Sequence, residues 1–127
     1  MRQIILPFAL ILAALAARAS DLPAVRESVE QSAMKSWKIS LAPLIASQVL
    51  DVASSYGLRE LNPLLTSPNG GFDQKATTIK LGATGGLVAL EYLIVRKHPR
   101  AARVISKLNW TTGIVTTGFA VHNFAIR

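Results

Sequence analysis

The sequence contains no cysteine and has few acidic or aromatic residues. Its 127 residues include seven Asp and Glu, fourteen Lys and Arg, two His and 6% aromatic residues. Without cysteine the chain can form neither a disulfide framework nor a thiolate metal site. The length corresponds to one domain. Because half of the residues are apolar and only 17% are charged, the composition argues against a disordered basic tail.

Motifs for catalysis or cofactor binding are also missing. Gly85 and Gly86 follow no predicted strand and lack the lysine–hydroxyl pair of a phosphate-binding loop. His98 and His122 are the only histidines, and neither has a second histidine three or four residues away, so no metal or cofactor is predicted. The basic segment 96–107 has no interleaved aromatic residues, which favours acidic lipid headgroups or topology control over nucleic acid. The sequence therefore predicts no enzyme.

The N-terminal segment is typical of a targeting sequence. Residues 1–19 combine a short positive start, an apolar run and small residues at the positions that a signal peptidase reads. An uncleaved membrane anchor is the alternative. Residues 20–38 then show apolar side chains every three or four positions among charged ones, which predicts an amphipathic helix at the membrane interface. A short helix packed on a soluble domain would give the same pattern.

Three long apolar segments follow, at residues 37–56, 76–95 and 108–126. Each has about the 20 residues that an α-helix needs to cross a bilayer. Small residues are frequent, and aromatic and basic residues lie near the segment ends, as in membrane helices. Trp37 with Lys38, for example, is predicted to lie at the membrane interface at a helix end. We therefore predict an all-α membrane bundle of three spans at residues 39–127, in a bacterial inner membrane. A soluble helical bundle is the alternative.

The charges and the N-terminus predict opposite orientations. The polar segments 57–75 and 96–107, the second of which contains His98-Pro99, are predicted loops between the spans. Residues 96–107 have five Lys and Arg and residues 57–75 have two, which places residues 96–107 and 20–38 in the cytoplasm. A cleaved signal peptide would instead deliver residue 20 to the outer side. Three full spans cannot satisfy both rules.

Polar residues recur at helical spacing inside the predicted spans. In the first span they fall on a stripe about 60° wide, and in the second Lys80 and Glu91 share a face. Because ionised groups are costly in lipid, these faces should turn inward and form a polar seam. The residues expected to meet there are Asp51, Lys80, Glu91, Asn109, Asn123 and, to one side, His122.

Residues 51–65 read Asp-Val-Ala-Ser-Ser-Tyr-Gly-Leu-Arg-Glu-Leu-Asn-Pro-Leu-Leu. With Lys80, this segment resembles an uncharacterised family of small bacterial multi-pass membrane proteins, a domain of unknown function, over residues 37–126. In that family an Asp and a hydroxyl pair lead into a Glu-x-Asn-Pro-Leu turn. The resemblance implies a fold and a location but no activity. The segment also reads as a capped turn between helices, with Gly57 ending the first and Asn62-Pro63 enforcing the turn.

Two functions stay open on the sequence alone. The first is a structural or interaction component whose polar seam holds the helices together, with the lipid bilayer and a second copy or another membrane protein as partners. The second is a transporter-like or small-ligand or ion-binding unit centred on Asp51, Glu60 and Lys80. The candidate residues for the seam or site are Asp51, Ser54, Ser55, Glu60, Asn62, Lys80, Glu91, His122 and Asn123.

Overall fold

The computed structural model describes residues 23–126, and this part of the chain is all-helical, as predicted. It contains three helices, α1 (Pro23–Ser55), α2 (Gln74–Lys97) and α3 (Ala101–Ala125). These residues form no β-strand, only an isolated antiparallel bridge between Arg59 and Gly71. The predicted signal peptide or anchor, residues 1–19, lies outside the described residues.

Helix α1 joins two segments that the sequence analysis separates. The predicted interfacial helix and the first apolar segment are one continuous helix of 33 residues. It begins at Pro23, which suits a first turn because proline lacks only an amide that would be unpaired there. The change near residue 38 is a change in side-chain polarity, and no residue at that point stops the backbone hydrogen bonding. Pro43 lies inside the helix without ending it.

Backbone hydrogen bonds join the two ends of the α1–α2 connection. Gly57 follows α1 with φ of +81°, in the left-handed region that favours glycine and often ends a helix. Its amide donates to the Phe72 carbonyl at 2.9 Å, and the Phe72 amide donates to the Leu58 carbonyl at the same distance. The Phe72 ring is buried. These contacts hold the end of α1 beside the start of α2.

The α2–α3 connection is shorter than predicted. The predicted polar loop at residues 96–107 is wrong, because α2 continues to Lys97 and α3 already begins at Ala101. His98 and Pro99 interrupt the helix, since proline disfavours helical backbone in the residue before it. Arg103 and Lys107 are good helix formers and lie within α3.

Helices α1 and α3 lie parallel and pack along most of their length, whereas α2 runs antiparallel and contacts them less. Ser36 contacts Ser106 near one end of the pair, and Ser54 contacts Asn123 near the other. The buried positions of α1 alternate in steps of four and three residues, the repeat by which helices pack in a left-handed coiled coil. They are Ala33, Trp37, Ser40, Leu44, Ser47, Asp51 and Ser54.

The apolar core is small and lies near the α2–α3 turn. Its buried members are Ala33, Trp37, Val95, Ala102 and Ile105. Elsewhere between the helices the buried residues are largely polar, so the remaining interior is the polar seam described below.

Within residues 23–126, one helix, Gln74–Lys97, is long and apolar enough to cross a membrane by length and composition. Only 11% of its apolar window is buried inside the bundle. The other two predicted spans, on α1 and α3, do not meet that criterion.

Candidate functional site

The polar seam runs between α1 and α3. On α1, Ser40, Ser47 and Ser54 are seven residues apart and almost completely buried. Each hydroxyl donates to the carbonyl three residues earlier, at 2.7 to 3.0 Å. Because serine is small and satisfies its own hydroxyl in this way, α3 can approach α1 closely without leaving an unpaired donor.

Helices α1 and α3 approach each other closely at Gly113 and Pro43. A Cβ placed on Gly113 would lie 3.1 Å from the Pro43 carbonyl oxygen and 3.2 Å from its carbon. Pro43 has no amide and therefore makes no backbone bond to the preceding turn. The two helices thus touch where one has no side chain and the other has lost an internal hydrogen bond.

Glu91 joins all three helices. One oxygen of its buried carboxylate, Oε2, accepts from Trp37 Nε1 of α1 at 2.9 Å and from Asn109 Nδ2 of α3 at 2.9 Å. The Asn109 amide also donates to Ser40 Oγ at 3.2 Å. We call Trp37, Ser40, Glu91 and Asn109 the Glu91 cluster.

Asp51 and Lys80 form the second charged contact between α1 and α2, nearer the α1–α2 loop. The Lys80 ammonium group donates to Asp51 Oδ2. The Asp51 side chain is 9% exposed and that of Lys80 is 26% exposed. The ammonium also lies over the Phe72 ring, 5.8 Å from its centroid, within the range of a cation–π contact. The pair is therefore buried on its acidic side and partly open on its basic side.

Further polar contacts join α1 and α3 in the half of the seam nearer the α1–α2 loop. The Asn123 amide donates to Ser55 Oγ at 3.0 Å and more weakly to Ser54 Oγ at 3.4 Å. Gln48 reaches Thr116 across the same interface at 3.4 Å. The contacting residues of α3 thus occur in the same sequence order as their partners on α1, which defines one register between the two parallel helices.

Three of the predicted site residues lie apart from these contacts. Glu60 accepts a hydrogen bond from the Asn62 amide at 2.7 Å, and Asn62 Oδ1 accepts from the Leu64 amide at 3.0 Å. Both side chains therefore organise their own loop, and neither makes a hydrogen bond to Asp51 or Lys80. His122 is exposed on α3.

Asp73 caps the start of α2. Its Oδ1 accepts from the Lys75 amide at 2.8 Å and from the Ala76 amide at 3.4 Å. The nearby Ser67 hydroxyl, these two amides and the charge of Lys75 lower the pKa of Asp73 below its usual 3.8, against an opposing effect of burial. Since Ser67 Oγ is buried without a hydrogen-bond partner among the described residues, we assign the direction mainly to the amides.

The surface around the seam is apolar. Between residues 39 and 56 of the chain, and between 81 and 93, every exposed side chain is apolar or the residue is glycine. On α3 the exceptions between residues 108 and 126 are Thr111, Thr112 and His122. The most exposed large side chains of α3 and the residue that follows it are Ile114, Phe119, Val121 and Ile126, at 62 to 68%. Polar groups therefore lie inside the bundle and apolar groups outside.

Charge is concentrated at the end of the bundle that contains residues 98–100, which we call the basic end. Contacts of Trp37 with Glu91 and of Ser36 with Ser106 bring the segment 26–38 of α1 to this end. The basic end has eight Lys and Arg: Arg26, Lys35, Lys38, Arg96, Lys97, Arg100, Arg103 and Lys107. Among the residues of this end that the structure describes, the acidic ones are Glu27 and Glu30.

Sequence reasoning missed the role of Trp37 and the burial of Phe72. Trp37 was interpreted as an interface residue at a helix end, yet its indole is buried and bonded to Glu91. The four–three repeat of small and polar residues in α1 was the signal for this face, and Trp37 lies on that repeat. Phe72 is an isolated aromatic residue in a polar segment, and no pattern marked it.

Comparisons of the chain with family models, curated proteins and solved structures give no match. The resemblance to small bacterial multi-pass membrane proteins therefore stays a prediction, based on the segment 51–65 and Lys80.

Proposed function

We propose that the protein is a small three-span membrane protein that serves as a structural or interaction component. The observation that supports this is its inverted polarity: the helices bury serine, asparagine and carboxylate groups and expose leucine, isoleucine and phenylalanine. In water such a surface would be a large unpartnered apolar patch. In lipid it would be solvated, and small and polar residues would hold the helices together.

The polar seam also explains why α1 and α3 do not meet the length-and-composition criterion for a membrane span. Their polar residues face each other, and a sequence average cannot separate a buried face from an exposed one. The apolar parts of α1 and α3 extend over residues 39–56 and 108–126, or about 27 Å of helix, close to the thickness of the hydrocarbon core. The exposure of apolar side chains on the outer faces of the helices therefore supports three spans more strongly than the average composition of the helices does.

The orientation that fits the charges places the basic end in the cytoplasm. Among the described residues, the opposite end, at residues 57–75, has only Arg59 and Lys75 as basic residues, together with Glu60 and Asp73. Both basic segments lie at the same end, so one orientation of α1–α3 satisfies the charge rule for both.

The seam contacts favour an architectural role. Asp51 has a counter-charge, Glu91 has two donors, and the buried serines bond to their own helix. Each of these groups therefore has a partner within the bundle. The protein would then act through its exposed faces, in contact with a second copy or another membrane protein.

Cysteine labelling tests the membrane placement directly, because the chain has no cysteine of its own. We would compare Leu64→Cys in the α1–α2 loop with Ile114→Cys on α3. Their parent side chains are similarly exposed, at 75% and 68%. In native membranes a water-soluble maleimide should label the Leu64 variant and spare the Ile114 variant. Equal labelling of both, or release of the protein by carbonate, would overturn the proposal.

A third variant, His98→Cys, tests the orientation. With the basic end in the cytoplasm, it should react only after the inner membrane is permeabilised, whereas Leu64→Cys should react from the outside. The reverse order of labelling would invert the proposed orientation and leave the three spans unaffected.

The second candidate function, a transporter-like or ion-binding unit, is favoured by one observation, the partial exposure of Lys80 beside buried Asp51. Glu60 would not belong to that site, since it bonds within its own loop. The two functions differ in the phenotype of Asp51→Asn. An architectural seam should tolerate the amide, whereas an ion site should lose activity at unchanged protein level.

A further inference from the structure

Six cations of the basic end have no carboxylate partner. Glu30 is shared by Arg26 at 3.1 Å and Arg100 at 3.7 Å. Among residues 23–126, no carboxylate lies within 4.0 Å of the charged nitrogens of the other six, all of which are exposed. They are Lys35, Lys38, Arg96, Lys97, Arg103 and Lys107.

These cations begin where the apolar surface ends. Trp110 and Tyr92 are about half exposed, at 46% and 49%, and lie near the limit of the apolar surface on the side of the basic end. Along its helix, Lys107 lies about 5 Å beyond Trp110, and Arg103 about 10 Å beyond it. The polar headgroup layer of a bilayer is roughly 5 to 8 Å thick on each side, so Lys107 lies at its depth and Arg103 near its outer edge.

We infer that the basic end binds the phosphate groups of acidic phospholipids. The inference rests on the proposed membrane placement and adds a lipid class to it. The guanidinium group of arginine can donate two hydrogen bonds to the oxygens of one phosphate, and the ammonium group of lysine contributes a point charge. Because the six cations are distributed over three helices directly above an apolar surface, a lipid can place its phosphate among them and its chains against Trp110. A nucleic acid would meet the cations without that apolar contact.

Fluorescence quenching by brominated lipids tests the inference. The protein has two tryptophans, of which Trp37 is buried and Trp110 is exposed at the lipid-facing surface. We would reconstitute the full chain into phosphatidylcholine vesicles that contain either brominated phosphatidylglycerol or brominated phosphatidylcholine in equal amounts. Preferential quenching by brominated phosphatidylglycerol is expected, and it should weaken in high salt. Each cation removed should lower the relative association constant about two- to five-fold.

A matched pair of variants locates the effect. Arg103→Gln with Lys107→Gln removes two cations near Trp110 and should reduce the preference for the acidic lipid. Arg59→Gln with Lys75→Gln removes the same charge at the opposite end and should leave the preference unchanged. Equal quenching by both lipids, or an equal loss in both double variants, would overturn the inference. Quenching by neither lipid would instead contradict the membrane placement, and binding of duplex DNA without lipid preference would assign the surface to nucleic acid.

Discussion

Trp37 and Glu91, 54 positions apart in the sequence, meet through a hydrogen bond of 2.9 Å from the indole Nε1 to Oε2 of the carboxylate. Asn109 donates to the same oxygen, so one atom of α2 is bonded to both α1 and α3. Helix α2 otherwise has no buried side chain between Ala76 and Glu91. The Glu91 cluster and the Asp51–Lys80 pair therefore hold α2 against the other two helices.

Two replacements of Glu91 should distinguish the loss of a hydrogen-bond acceptor from the loss of a charge. In Glu91→Leu, the Trp37 and Asn109 donors are left buried without this acceptor, which costs about 1 to 3 kcal/mol. In Glu91→Gln, the amide oxygen can still accept both bonds, so the free energy of unfolding should change much less. Thermal unfolding of the two variants in one detergent, followed by tryptophan fluorescence, measures the difference. Equal loss in both variants would show that the charge itself holds α2.

The Asp51–Lys80 pair should respond unequally to loss of either partner. Lys80→Met leaves the Asp51 carboxylate buried without a counter-charge and should destabilise by on the order of 3 kcal/mol. Asp51→Asn leaves an ammonium group that is already 26% exposed and can extend to water, so its cost should be smaller. The double variant Asp51→Asn with Lys80→Met should recover part of the loss. Strictly additive unfolding free energies would show that the two groups do not interact.

The polar stripes that carry these pairs could be predicted, but their partners could not. Helical periodicity alone places Ser40, Ser47 and Asp51 on one face of a helix. Which residue of another helix lies opposite depends on the register between the helices. That register is set by a three-residue turn at 98–100 and a pinned loop at 57–73, neither of which periodicity describes.

Element boundaries were missed for a related reason. The polarity of the chain changes at residue 38 and again at residue 107, and both changes were interpreted as ends of helices. The backbone continues through both points, because charged residues such as Lys38 and Arg103 are compatible with a helix. Where backbone chemistry does interrupt the helix, at Gly57 and at His98-Pro99, the sequence predicted an interruption and the structure has one.

The Asp73 cap should make stability depend on pH in acid. Because the pKa of Asp73 is lowered in the folded protein, its carboxylate contributes stability that is fully present above the unfolded value near 3.8. This contribution is lost as the pH falls through the lowered pKa. Asp73→Asn keeps a side-chain acceptor but does not titrate in this range.

Below about pH 4, the wild-type unfolding temperature should therefore fall relative to that of Asp73→Asn. The other carboxylates are common to both proteins and cancel in the difference. Parallel curves over the whole range would show that the cap acts through hydrogen bonding alone.

Glycine substitutions on α3 test the parallel packing of α1 and α3. In Gly113→Ala, the new methyl group would lie 3.1 Å from the Pro43 carbonyl oxygen, a backbone atom that cannot move alone. The helices must separate, and overpacking of this kind typically costs about 1 to 3 kcal/mol. The gain in helix propensity from glycine to alanine, about 1 kcal/mol, offsets only part of this cost. A lower unfolding temperature in detergent is expected.

Gly118 supplies the matched control, because it lies on the same helix and a Cβ there would meet no atom within 4 Å. Gly118→Ala should therefore leave the unfolding temperature unchanged or raise it, since only the helix propensity changes. Valine at each position should widen the difference in unfolding temperature between the two sites. Its larger side chain meets Pro43 at position 113, whereas the space at position 118 is open. If both alanine variants unfold at the same temperature, α1 and α3 do not approach each other at Pro43, and the register inferred for the polar seam is incorrect.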